Sequence, residues 1–136
     1  MDKAGQNSAP NGHRGPVWLL DDEPSSLRAT KRLLNSAGWG AEAFTDPKFF
    51  LERAQTLRPR LAVIDMSMPL MHGLEVQEQL GDVSPATRVI VLTGKDDPQI
   101  RARALSAGAT TFFFKPASGD DFLAAIHSAF TADVAK

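Results

Sequence analysis

At 136 residues the chain can bury one sizeable core but not two. Its 15 basic and 16 acidic side chains leave a formal net charge of −1, so no global field draws it to nucleic acid or an anionic membrane, and direct nucleic-acid binding is not expected. With no cysteine, a disulfide framework, a thiolate metal site and a cysteine nucleophile are excluded; with no apolar run near the roughly 20 residues of a membrane span, and no signal-peptide core, a cytoplasmic setting is expected.

Residues 1–15 offer Gly, Asn, Ser and Pro with little to bury and read as a disordered tail, in which His13 has no role. Order is expected from Pro16 to residue 131, with 132–136 frayed. Val17-Trp18-Leu19-Leu20 is apolar throughout, as a strand covered on both faces is, and it runs into Asp21-Asp22. Pro24 suits the first turn of a helix that reaches about Ala37, with Leu27, Leu34 and Ala37 on one stripe and Gly38 ending it. Residues 40–44 read as an edge strand. Asp46-Pro47 opens a second helix carrying Phe50, Ala54 and Leu57 inward, stopped by Arg58-Pro59.

Leu61-Ala62-Val63-Ile64 is a second buried strand, and it ends on Asp65. A third helix is expected from Leu70 to about Leu80. Val89-Ile90-Val91-Leu92 then runs into Thr93-Gly94, and Asp96-Asp97-Pro98 caps a fourth helix whose apolar stripe, Ile100, Ala104 and Ala107, is thin. A helix that buries so little is a candidate for movement. The last strand, Thr111-Phe112-Phe113-Phe114, runs into Lys115-Pro116, and Ser118-Gly119-Asp120 opens a final helix with Phe122, Ile126, Ala129 and Phe130 inward.

Five strands alternating with five helices require a parallel sheet with helices on both faces. An order of 2-1-3-4-5 brings the C-terminal ends of the first, third, fourth and fifth strands together, so that Asp21, Asp22, Asp65, Thr93 and Lys115 meet at one sheet edge. Read singly, Asp65 could cap a turn, the acidic pair could cap the first helix, and Lys115 could be a surface ion-pair partner. Read together, three carboxylates repel unless a cation intervenes, and oxygen ligands without His or Cys suit Mg²⁺ or Mn²⁺. Lys115 can pair with a phosphoryl oxygen and Thr93 can donate a hydroxyl. Asp65 is the candidate nucleophile for an acyl phosphate, because the 21–22 pair is better placed to hold metal.

Asp21-Asp22, then Asp65 with Met68-Pro69 and Gly73, then Thr93-Gly94, then Gly108-Ala109 and Lys115-Pro116, closely resembles the receiver domain of two-component response regulators over residues 17–130. The flavour is most similar to receivers that precede helix-turn-helix output domains. The resemblance implies a CheY-like, flavodoxin-like α/β fold and a signalling switch, with self-catalysed phosphotransfer and autodephosphorylation, not an enzyme acting on external substrates. It implies that Asp65 takes a phosphoryl group from a sensor histidine kinase or phosphotransfer protein. Asp21, Asp22, Asp65 and the backbone carbonyl of Ser67 would hold Mg²⁺, while Thr93 and Lys115 contact the phosphoryl oxygens. Phe112 stands at the switch-aromatic position, and Lys115-Pro116 at the family's cis peptide.

The expected output face is the fourth helix, fifth strand and fifth helix, with Ala102, Leu105 and Ser106 contributing and a homodimer through it as one use. Ser67 and Lys95 are placed to tune phosphoryl lifetime. His72 and His127 read as solvated or half-buried residues rather than phosphotransfer groups. A receiver detached from a hybrid kinase is the alternative setting. An aspartyl-phosphate hydrolase would carry a second acid two residues past the nucleophile, where Ser67 stands, and a flavin site would need a phosphate loop that does not follow the first strand.

Overall fold

The computed structural model describes residues 16–66, 73–94, 97–115 and 119–134. In chain order the elements are β1 (Val17–Leu20), α1 (Pro24–Ser36), β2 (Ala41–Phe44), α2 (Pro47–Leu57), β3 (Leu61–Asp65), α3 (Gly73–Val83), β4 (Arg88–Thr93), α4 (Pro98–Ser106), β5 (Thr111–Phe114) and α5 (Gly119–Val134). The strands form one parallel sheet in the order β2-β1-β3-β4-β5. No helix among the described residues is long and apolar enough to cross a membrane.

The period-2 geometry of the strands divides the core in two. Trp18, Leu20, Ala62, Ile64, Val89 and Val91 point to one face and pack against Phe50 and Ala54 of α2, Val76 and Leu80 of α3, and Ala104 of α4. The residues between them, Val17, Leu19, Leu61, Val63, Ile90 and Leu92, meet Leu27 and Leu34 of α1 and Phe122, Ile126 and Phe130 of α5. The central strands are apolar without alternation because both faces are covered.

Helix ends are set locally. Asp46 accepts from Lys48 N at 3.0 Å at the start of α2, and Asp97 from Gln99 N and Ile100 N at 3.0 and 3.2 Å at the start of α4. After α1, Gly38 at φ 92° lets Trp39 N reach back to Leu34 O at 2.9 Å, and the Trp39 ring stacks on Phe130 at 4.9 Å.

Three expected core positions are corrected. Ala37, Leu57 and Ala107 are all exposed, Leu57 by 52%. Ala37 and Ala107 are the caps that follow α1 and α4, and Leu57 is the last residue of α2; as the chain turns there, Trp39, Pro59 and Ala109 take the buried positions instead. Buried Thr30 joins Leu27 and Leu34 on the inner face of α1 instead. α3 continues to Val83, past the expected end at Leu80, and its expected start at Leu70 lies outside the described residues. α5 continues through Val134.

Candidate functional site

The sheet register assembles the site from distant segments. Leu20 pairs with Ile64, Asp65 with Leu92, and Thr93 with Phe114, so the residues at or just past these positions share the C-terminal edge. The edge is tied by backbone bonds from Met66 N to Leu92 O at 3.2 Å and from Lys115 N to Thr93 O at 2.8 Å. Asp65 continues the alternation of Leu61 and Val63 toward the α1/α5 side, whereas Thr93 continues that of Val89 and Val91 toward the α3/α4 side. Sheet pairing therefore aims the two groups to opposite sides of the same edge.

Asp21 and Asp65 are buried, at 5% and 3% exposure, while Asp22 is exposed. Lys115 bridges the buried pair, with Nζ 2.8 Å from Asp21 Oδ2 and 3.4 Å from Asp65 Oδ2. Burial alone would lower the pKa of this ammonium, but the hydrogen bond to Asp21 and the charges of Asp65 and Asp21 outweigh it and raise it above the ordinary lysine value. Lys115 is fully charged at neutral pH.

At least three carboxylates face one ammonium, an excess of acidic groups that favours a bound cation. Oxygens of Asp21, Asp22 and Asp65 lie within 4.8 Å of one another. Carboxylate oxygens this close together could share one small divalent cation, which is bound by oxygen ligands from one or two carboxylates and waters. The donors are hard oxygens, with no imidazole or thiolate in the group. The chemistry of the set fits a divalent cation beside an attacking or accepting carboxylate.

Two contributors were not singled out from sequence. Glu23 donates its backbone N–H to Asp21 Oδ1 at 3.0 Å, which fixes that carboxylate, and its Oε1 lies 3.7 Å from Lys115 Nζ. Its place directly after the acidic pair was the available signal. Thr30 lines, with Asp21 and Asp65, a hollow of about 10 Å³ beneath the carboxylates, and only the burial of one helix face discloses it.

Phe112 is half-buried against the α2/α3/α4 cluster, its ring 5.6 Å from the Arg101 guanidinium of α4 and 5.5 Å from the Phe114 ring. Ala102, Leu105 and Ser106 of α4 are exposed, as is Phe114 of β5. His127 is exposed on α5. Ser67, Met68, Pro69, His72, Lys95, Asp96, Pro116 and Ser118 lie outside the described residues, and with them the expected Ser67 carbonyl ligand and the Lys115-Pro116 peptide.

Comparison with known proteins agrees with this geometry. A model of the response regulator receiver domain matches residues 17–127. The response regulator protein TodT of Pseudomonas putida is 33% identical over 113 residues, covering 83% of this chain and 50% of that protein. The chain spans about half the length of the curated relatives it matches. A CheY-like receiver domain from Methanospirillum hungatei superposes with a TM-score of 0.79 at 26% identity, over 86% of this chain and 94% of the other. The beryllofluoride-activated NtrC4 receiver domain, solved as a dimer, gives 0.80 at 27% identity, over 86% and 97%. With the fold, the acidic cluster and the family match in agreement, this chain belongs to the receiver domains of two-component response regulators.

Proposed function

We propose that Asp65 is the phosphoacceptor. A carboxylate oxygen of Asp65 attacks phosphorus, the N–P bond of a phosphohistidine on a sensor kinase or phosphotransfer protein breaks, and the histidine nitrogen leaves with the bonding electrons. The observation that carries this reading is the buried Asp21–Lys115–Asp65 arrangement, in which the ammonium stands 3.4 Å from the carboxylate that would gain the phosphoryl charge. Asp21, Asp22, Asp65 and the Ser67 carbonyl would hold Mg²⁺ or Mn²⁺. That ion supplies charge neutralisation at the accepting oxygens.

The protein's own groups do the rest. The Glu23 N–H keeps Asp21 oriented, and Lys115 exchanges part of its pairing with Asp21 and Asp65 for the phosphoryl oxygens. Thr93, aimed to the other side of the sheet, donates its hydroxyl only after turning toward the phosphoryl group. That turn vacates space on the α4 side into which Phe112 moves, leaving Arg101. Lacking a hydroxyl, Phe112 is held in its inward position by packing alone.

The output is carried by α4, β5 and α5, whose exposed Leu105 and Phe114 offer apolar area for a partner or a second copy of the chain. The dimeric state of the activated NtrC4 receiver supports the second use. The relatives' greater length supports an output segment acting with this domain in the cytoplasm, a DNA-binding helix-turn-helix unit by the motif flavour. Autodephosphorylation returns the domain to rest.

The reading is tested by incubating the protein with acetyl phosphate and Mg²⁺ and measuring intact mass. Wild type is expected to gain one phosphoryl group, and Asp65→Asn, folded by circular dichroism, none. Equal gain by both proteins, or none by folded wild type, would overturn it.

A further inference from the structure

α4 is lightly anchored: Ala104 is its one buried side chain, with Ile100 half-buried against the same cluster. Its last turn closes through Ala109 N to Ala104 O and Gly108 N to Leu105 O, both at 3.0 Å, with Gly108 at φ 108°. The Ala104 carbonyl has a second donor. Gln77 of α3, only 4% exposed, reaches across and donates Nε2 to it at 2.9 Å. Among the described residues no donor reaches Gln77 Oε1, which is buried.

A core amide with one of its two polar atoms left without a partner stabilises a fold less than an apolar side chain of the same size. Packing therefore does not explain a glutamine here. An amide can do one thing a leucine cannot: it selects a single carbonyl and so fixes the position of one helix along another. We propose that Gln77 is a positioning residue, a latch from α3 that holds α4 in its resting place and thereby sets how many unphosphorylated molecules already have α4 displaced. The proposal rests on the switch reading above, in which α4 moves when Asp65 is phosphorylated.

The latch is weak by construction, since one of its two polar groups is engaged. Releasing a single hydrogen bond shifts an equilibrium by about threefold to tenfold. Ala109 and Thr110 lead directly from this turn into β5, with Thr110 N bonded to Val89 O at 2.8 Å, so a displaced turn is transmitted to the strand that carries Phe112.

The test compares wild type with Gln77→Leu, and with Gln77→Met should the leucine variant not fold. Without phosphodonor, hydrogen exchange of the α4 amides is expected to quicken by about threefold to tenfold while α1 and α5 keep their protection. The midpoint of chemical denaturation is expected to stay or rise, because the unpaired oxygen has gone. With acetyl phosphate and Mg²⁺, phosphoryl uptake is expected to quicken by up to the same factor, since more molecules start in the accepting arrangement. A purely structural glutamine would instead lower the midpoint and raise exchange throughout. That pattern, unchanged α4 exchange, or faster α4 exchange with unaltered uptake would each overturn the proposal. Should wild type take up no phosphoryl group, the switch reading fails, and the contrast in exchange still decides whether Gln77 holds α4.

Discussion

Gly73 and Gly81 stand in the same helix, and replacing each by alanine should have opposite effects. Built on Gly73, a Cβ lies 2.5 Å from Asp65 O, 2.7 Å from Met66 Cα and 2.8 Å from Met66 Cε; at Gly81 nothing lies within 4 Å. Ordinary contact begins near 3.4 Å, so Asp65 O must retreat by 3.4 − 2.5 = 0.9 Å. That oxygen belongs to a strand end paired with Leu92, and Met66 N is bonded to Leu92 O, so no side-chain rotation gives relief. Overpacking of this kind costs about 1–3 kcal/mol, against a helix-propensity gain of at most about 1 kcal/mol. Gly73→Ala should therefore lose up to about 2 kcal/mol net, while Gly81→Ala, meeting no obstacle, gains about 0.5–1 kcal/mol. Urea denaturation of the three proteins measures both. The same displacement moves Asp65, so Gly73→Ala should also take up phosphoryl groups more slowly from acetyl phosphate, and Gly81→Ala should not. A Gly73→Ala protein as stable as Gly81→Ala would refute the close approach of α3 to the end of β3.

The raised pKa of Lys115 means that its pairing stabilises the fold fully below the unfolded lysine value of about 10.4 and is lost as pH rises through the folded value. The difference in denaturation midpoint between wild type and Lys115→Met should be level from neutral pH to about 9.5 and shrink above it, and a difference that grows with alkalinity would contradict the pairing. Asp97→Ala removes the cap that accepts from Gln99 N and Ile100 N, so α4 should lose about 1 kcal/mol, seen as faster exchange confined to that helix. Unaltered exchange there would show that the cap does not hold α4. Arg58 occupies the left-handed region at φ 48°, so Arg58→Gly should stabilise by up to about 1 kcal/mol in thermal unfolding, and a loss would mean its side chain contributes more than its backbone strain costs.

The buried strands were legible because each is an unbroken apolar run ending in a polar residue, a pattern that fixes both a parallel sheet and the edge at which Asp21, Asp65, Thr93 and Lys115 emerge. Periodicity misplaced Ala37, Leu57 and Ala107 because a helical stripe carries no information on where the helix ends and the chain turns to bury Trp39, Pro59 and Ala109 instead. The sequence also could not show that Lys115 bridges Asp21 and Asp65, since its neighbours lie 94 and 50 positions away along the chain (115 − 21 and 115 − 65), nor that Thr93 leaves the same edge on the opposite side. Nothing in the sequence sets Gln77 apart from the other polar residues of α3, and only the packing of α4 onto α3 makes it a core group.

The central claim is an acyl phosphate on one side chain, and borohydride reduction reads it directly. Protein treated with acetyl phosphate and Mg²⁺, reduced and digested, should yield homoserine at position 65 and unmodified aspartate at positions 21 and 22. Homoserine at Asp21 or Asp22, or at no position in folded protein, would contradict the assignment of Asp65 as the phosphorylated carboxylate.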